Sequence, residues 1–335
     1  MTVLLGINGF GRIGRAVVRA ALARSDHEVE VVAVNDVADA HTLAYLLEYD
    51  STHGRLPSPV TVHDQAIVMG EHRIHVTGTP DPARISWRNH DVDVVIEATG
   101  RHRTREAAAG HLTGGAGKVI ISAPGEGVDT TIVLGVNEDT YKPSEHHVIS
   151  AASCTTNCAA PMGLVLHRAF GVRRGLMTTI HAYTNDQSLL DQPHKDLRRA
   201  RAAAVNMVPT TTGAARSVGE VLPELAGKLD GVAVRVPVDD GSLTDLAVEL
   251  EVPVTAGQVN RAFADAATGY LKGVLRYTDA PIVSRDIVGD PSSCVFDANL
   301  TKAIDNLVKV FGWYDNEWGY ANRMLDLAGL VVQGK

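Results

Sequence analysis

The sequence predicts an α/β protein in two parts: a doubly wound parallel sheet, then an α+β domain with a largely antiparallel sheet. Three observations predict it. Over roughly the first 150 residues, short aliphatic runs alternate with helix-length segments, the pattern of parallel strands covered on both faces. A glycine-rich turn follows the first run directly. In the second half the strand-like runs lengthen and fewer helices separate them, which suits antiparallel pairing.

The elements follow in order. Residues 3–7, 29–35, 92–98, 118–122, 131–134 and 147–150 are continuous apolar runs and read as buried strands. Residues 12–24 and 103–112 supply helices between them. Beyond residue 150, strands are expected at 176–181, 232–238, 243–254, 273–277, 293–297 and 306–314. A helix is expected at 257–267, and a terminal helix at about 318–333 with Met324, Leu325, Ala328 and Val331 as its apolar face. The polar stretch 183–207 has no periodicity, and a loop of that length in a compact domain usually serves a site or a partner.

Composition narrows the function. The chain has 335 residues, enough for two domains of roughly 150 each. A net charge of −8 gives no bulk attraction to nucleic acid or to anionic lipid. No apolar run approaches the roughly 20 residues of a membrane helix, and the start lacks the basic and apolar regions of a signal peptide. Three cysteines, Cys154, Cys158 and Cys294, make no disulfide framework and point to a cytoplasmic protein. No zinc-type Cys/His spacing occurs, and no metal is expected.

Gly9-Phe10-Gly11-Arg12-Ile13-Gly14 is a GxGxxG placed between a strand and a helix. The glycines allow a tight turn, and the helix start offers free N–H groups to a pyrophosphate. Asp36 ends the second strand, where a carboxylate can accept from ribose hydroxyls and repel a 2′-phosphate. That favours NAD over NADP. A glycine turn without a dinucleotide would not need the acid.

Cys154 stands just before an apolar helical pattern, so it lies at a helix N-terminus. There the dipole favours a thiolate and lowers its pKa from about 8.5 towards neutrality. His181, at the end of a strand, is the natural base for it. Cys158, one turn further on, and Cys294 read as buried apolar residues; His53, His102 and His111 read as surface or structural. Thr212-Gly213 before a helical stretch suits an anion. Arg235 interrupts an apolar strand and must meet either a bound anion or an internal acid such as Asp245.

Taken together, the motifs resemble the glyceraldehyde-3-phosphate dehydrogenase family along essentially the whole chain. They are INGFGRIGR from Ile7, ND at Asn35, YDSTHG from Tyr49, SCTTNC from Ser153, HAYTNDQ from His181, TTTGAAR from Thr210 and WYDNEWGY from Trp313. The resemblance implies a Rossmann NAD-binding domain at 1–152, a catalytic domain at 153–316, and a C-terminal helix at 317–335 packed on the first domain. It implies a cytoplasmic homotetramer of glycolysis that converts glyceraldehyde 3-phosphate, NAD and inorganic phosphate to 1,3-bisphosphoglycerate, through a thiohemiacetal and a thioester on Cys154. By the same resemblance, Thr184 and Arg235 hold the substrate phosphate. Ser153, Thr155, Arg199, Thr212 and Gly213 line the inorganic phosphate site, and Arg12, Ile13, Asp36, Thr99, Gly100, Ser122 and Asn316 contact NAD.

The chain departs from the family pattern at Pro80, His102 and Asp239. Alternatives are an erythrose 4-phosphate dehydrogenase of the same family, a non-phosphorylating aldehyde dehydrogenase, a Cys–His hydrolase and a binding or scaffold role. Asp239 and Asp240 beside Arg235 raise one more: a second isozyme tolerant of anionic electrophiles, because added carboxylates would weaken the local positive potential.

Overall fold

The computed structural model describes residues 2–25 and 28–333. They divide into two compact units. One comprises Met1–Ile132, Asp139–Ala152 and Ala321–Lys335; the other comprises Val133–Glu138 and Ser153–Tyr320.

Among its described residues, the first unit holds a nine-stranded sheet. From one edge its strands are Thr130–Thr131, Val148–Ser150, Lys118–Ile121, Val94–Glu97, Val3–Asn8, Val29–Asn35 and His72–Thr77, all pairing in parallel. Ala66–Met69 and Thr61–His63 extend it antiparallel. The central strands Val94–Glu97 and Lys118–Ile121 are buried at every residue, their apolar runs bounded by one buried charged residue each, Glu97 and Lys118. The helix Arg12–Ala23 buries Ala16, Val17, Val18 and Ala20. The expected helix at 103–112 is two short turns, Arg105–Ala108 and Gly110–Thr113. A helix at Ala40–Glu48, started by the Asp39 side chain on Thr42 N, and the antiparallel edge strands add to the expected set.

The second unit is built on an eight-stranded sheet, again among the described residues. Its order is Val208–Thr211, Leu229–Val236, Val172–Ala182, Ser242–Leu250, Leu307–Tyr314, Cys294–Asp297 and Leu275–Thr278, with Lys302–Ile304 also paired to Leu307–Tyr314. Pairing is antiparallel except for Val172–Ala182 with Leu229–Val236 and Leu275–Thr278 with Cys294–Asp297. Ser242–Leu250 alternates buried and half-buried residues throughout, the mark of a strand with one face in a core. The helix Cys154–Phe170 packs on Ser242–Leu250 and Leu307–Tyr314. Residues 183–207 are irregular apart from one 3₁₀ turn at Ala203–Val205. No helix among the described residues is long and apolar enough to cross a membrane.

Candidate functional site

The glycine-rich turn of the first unit is shaped by two close approaches. Gly9 sits at φ +93°, and a Cβ there would lie 2.7 Å from Thr99 N. A Cβ on Gly14 would lie 2.3 Å from Gly9 O. Both distances exclude a side chain, so the turn and the helix start are pressed together. Nothing lies within 4 Å of the point where a Gly11 side chain would begin. Gly11 caps the helix without a side-chain bond, and the first turn holds no acid, so this helix start is suited to an anion. Arg12 is tied to Asp50 at 2.6 Å.

Asp36 grips the same turn. Its Oδ2 accepts from Phe10 N at 2.8 Å and its Oδ1 from Ala38 N at 3.0 Å. Thr99 donates to Glu97 Oε1 from its N–H at 2.9 Å and from its hydroxyl at 2.5 Å. Ser122 donates to the Glu97 carbonyl from both its N–H and its Oγ, each at 3.0 Å. The turn 9–14, Asp36, Thr99 and Ser122 therefore all follow the carboxyl ends of adjacent parallel strands, where ligands of such sheets bind. These groups fit a dinucleotide: an open helix N-terminus for the pyrophosphate and a carboxylate for ribose hydroxyls. The tie to Glu97, 2% exposed, is one that sequence reading missed.

In the second unit, Ser153 is the N-cap of Cys154–Phe170, its Oγ accepting from Thr156 N at 3.0 Å. A cap of this kind is worth about 1 kcal/mol, and it fixes Cys154 as the first helical residue. Cys154 Sγ lies 3.5 Å from His181 Nε2. His181 Nδ1 lies 2.7 Å from Ala182 O, which can only accept. This contact calls for the ring proton on Nδ1 and an Nε2 lone pair facing the sulfur, although Arg235 Nη1, which can only donate, also crowds Nδ1 at 2.5 Å.

Arg235 stands across from His181, its Nη1 2.5 Å from His181 Nδ1 and 3.1 Å from Ala182 O. Asp245, the internal acid considered for it, pairs with Lys309 at 2.8 Å instead. Arg235 makes no salt bridge among the described residues, which leaves the bound-anion alternative. Arg199 and Asp186 lie close enough to act on its charge. Arg199 itself pairs with Asp186, and its Nε donates to Thr210 Oγ1 at 2.9 Å. Thr212 Oγ1 accepts from Ala214 N at 3.2 Å, and Gly213 opens the helix Ala214–Val221 with no side-chain cap. Thr184 begins the turn closed by Gln187 N on its carbonyl.

The electrostatics differ from the sequence expectation. Cys154 is only half-buried but densely surrounded, and burial pushes its thiol up to about 11. Arg235 and the Thr155 hydroxyl and N–H pull the other way. Burial, then the Arg235 charge, lowers His181 to about 3, against the bond to Ala182 O. The resting pair is thus a neutral thiol beside a neutral imidazole, because either charge would have to form in a dry site.

The site also has braces that the sequence did not reveal. Tyr314 OH bridges Thr155 Oγ1 and Thr179 Oγ1, both at 2.8 Å, and its ring meets His181 edge-on at 5.9 Å. Ser242 Oγ accepts from Ala182 N at 3.1 Å and donates to Asn316 Oδ1 at 2.6 Å, which ties Asn316 to the strand that carries His181. Cys158 and Cys294 are fully buried, with Cys158 Sγ 3.9 Å from Met162 Sδ. Asp239 is met by Arg285 at 2.5 Å. Asp240 is pushed up to about 9 by burial and by the neighbouring charges of Asp315 and Glu317. Neither carboxylate therefore sets a free negative charge beside Arg235 at neutral pH.

Comparisons with known proteins agree along the chain. Residues 3–105 match the family model described as "Glyceraldehyde 3-phosphate dehydrogenase, NAD binding domain", and residues 153–316 match its "C-terminal domain" counterpart. The chain is 57% identical over 331 residues to "Glyceraldehyde-3-phosphate dehydrogenase 2" of Streptomyces arenae, with 99% of each chain covered. It is 56% identical over 336 residues to the Mycobacterium leprae enzyme of that name, and 57% over 333 residues to that of Geobacillus stearothermophilus, with the same coverage.

Proposed function

The chain belongs to the glyceraldehyde-3-phosphate dehydrogenase family, and on that premise we propose that Cys154 and His181 carry out an NAD-dependent, phosphorylating oxidation of glyceraldehyde 3-phosphate. The observation that carries this reading is the 3.5 Å approach of Cys154 Sγ to His181 Nε2 with Arg235 alongside.

Arg235 and Thr184 hold the substrate phosphate, and Ser153, Thr155, Arg199, Thr212 and Gly213 form the place of the attacking phosphate. Cys154 Sγ attacks the aldehyde carbon, and the thiol proton passes by way of His181 Nε2 to the carbonyl oxygen, which leaves a thiohemiacetal hydroxyl beside a neutral imidazole. The thiohemiacetal hydroxyl then gives its proton to the same base. NAD, held by the Gly9–Gly14 turn, Arg12, Ile13, Asp36, Thr99, Gly100, Ser122 and Asn316, supplies the hydride acceptor. Loss of hydride leaves a thioester on Sγ. Inorganic phosphate attacks the acyl carbon, Sγ leaves as thiolate, and 1,3-bisphosphoglycerate is released. A phosphate dianion on Arg235 cancels the charge that opposes an imidazolium, so His181 becomes a better base once substrate is seated.

We assign residues 1–152 to cofactor binding, 153–316 to catalysis and 317–335 to a helix that closes the first domain. The enzyme acts as a cytoplasmic homotetramer in glycolysis. NADH formation tests the reading. Full turnover should require aldehyde, NAD and phosphate together, and erythrose 4-phosphate should give a lower kcat/KM. Phosphate-independent steady-state turnover, or a preference for erythrose 4-phosphate, would overturn it.

A further inference from the structure

In the first unit, four parallel strands end in register on polar residues. Glu97 stands opposite Asn8, Asn8 opposite Asn35, and Asn35 opposite Thr77. Glu97, Asn8 and Asn35 are buried. Hydrogen bonds run along the row in one direction: Thr77 Oγ1 donates to Asn35 Oδ1 at 2.9 Å, Asn35 Nδ2 to Asn8 Oδ1 at 2.8 Å, and Asn8 Nδ2 to Glu97 Oε2 at 2.6 Å.

The direction is set at the carboxylate end. Trp87 Nε1 can only donate, and it lies 3.0 Å from His111 Nδ1. The His111 proton is therefore on Nε2, which faces Glu97 Oε2 at 3.0 Å. Glu97 thus receives Asn8 and His111 on one oxygen and the Thr99 N–H and hydroxyl on the other. Burial raises this carboxyl, and those bonds more than offset the rise, so it stays ionised. With only acceptors at that end, the Asn8 amide has one orientation, and it dictates that of Asn35. Asn35 in turn holds Thr79, accepting from its N–H at 2.8 Å and donating to its carbonyl at 2.9 Å.

Each member of the row immediately precedes a loop. Asn8 leads into the Gly9–Gly14 turn, Asn35 into Asp36, Thr77 into Thr79, and Glu97 into Thr99. We propose that Glu97 is a positioning residue for the dinucleotide, its carboxylate fixing through this row the geometry of four loops that form the cradle, as far as Thr79 three strands away. The proposal rests on the reading that these loops hold NAD. Cofactor affinity then depends on an ionised group that is itself buried beneath the cradle's loops.

Glu97→Gln tests it, because an amide must turn its NH2 towards one of the two donor pairs, Asn8 with His111 or the two groups of Thr99. In the folded, full-length variant, the KM for NAD and the Ki of ADP-ribose should each rise by about tenfold, with kcat at saturating NAD within about twofold of the parent. Thr77→Val at the far end should raise both constants by about threefold, and Thr77→Ser, which keeps the donor, should restore them. A Glu97→Gln enzyme whose KM and Ki stay within about twofold, or that loses kcat alone, overturns the proposal. Should that variant not fold, equal constants for the two Thr77 variants overturn it instead. Asp36→Asn separates the underlying reading. If it leaves the preference for NAD over NADP unmoved, the cradle itself is misassigned; if it relaxes the preference while Glu97→Gln does nothing, only the positioning role fails.

Discussion

His181 and Arg235 are register partners on neighbouring parallel strands, and their side chains meet with Arg235 Nη1 2.5 Å from His181 Nδ1. A cation pressed against the back of the general base lowers the base's proton affinity and favours a thiolate on its other side. One residue thus acts on both members of the pair and also offers its remaining donors to an anion.

Arg235→Gln should therefore move two titrations in the same sense. Without the cation, the Cys154 thiolate is less favoured and its pKa rises; the His181 imidazolium is less opposed and its pKa rises too. The pH profile for alkylation of Cys154 by neutral iodoacetamide should shift up by about one unit, a roughly tenfold slower reaction at fixed pH below the midpoint. An unshifted profile would show that Arg235 does not act on the thiol.

Cys154→Ser should abolish dehydrogenation and leave NAD binding largely intact, since an alcohol forms no thioester and does not ionise near neutrality. Cys158→Ser should keep most of the activity, its sulfur being packed against Met162 and away from the reacting groups. Steady-state rates with both variants decide the assignment. An active Cys154→Ser enzyme would end it.

Asp36 should impose a preference of about 100-fold for NAD over NADP in kcat/KM, because a 2′-phosphate would meet a partly buried carboxylate. The ratio measured on the unaltered enzyme checks this, and equal values for the two cofactors would contradict it.

Asp240 yields a stability prediction. Its pKa lies near 9 in the native state, against about 3.9 unfolded. Between those values the native state holds a proton that the unfolded state does not. The contribution is complete at acid pH and is lost as pH rises through 9. Asp240→Asn removes this dependence, so its Tm relative to the parent should climb by several degrees between about pH 5.5 and pH 8.5. Parallel Tm curves for the two proteins would refute a native state that keeps Asp240 protonated.

The long apolar runs were legible because a strand covered on both faces is filled mostly by apolar residues; Val29–Asn35 and the helix Trp318–Gln333 fall where the pattern puts them. The strands at 61–77 were not, since His63, His72, Arg73 and His75, exposed or half-buried, break their apolar alternation. Cys154, His181 and Arg235 stood out as odd residue types at the ends or in the middle of clean elements. The Glu97 row did not, because each strand contributes one ordinary polar residue, and only the register unites them. His111, read as surface or structural, is the second of these: it is completely buried between Trp87 and Glu97.

The first unit is not contiguous. Arg24, at the end of its first helix, is held by the Asn322 carbonyl at 3.1 Å and by Asp326 at 2.6 Å, and the Tyr141 hydroxyl donates to Val331 O at 3.0 Å. Ala321, Met324, Leu325, Ala328 and Val331 are all completely buried. During synthesis, then, the amino-terminal sheet is made first but completed last. It waits with an apolar face uncovered while the 168 residues of Ser153–Tyr320 leave the ribosome, whereas that segment can close as soon as its own sequence has emerged. The chain is made in one order and sealed in the other, which places the window for chaperone capture on the half that was translated earliest.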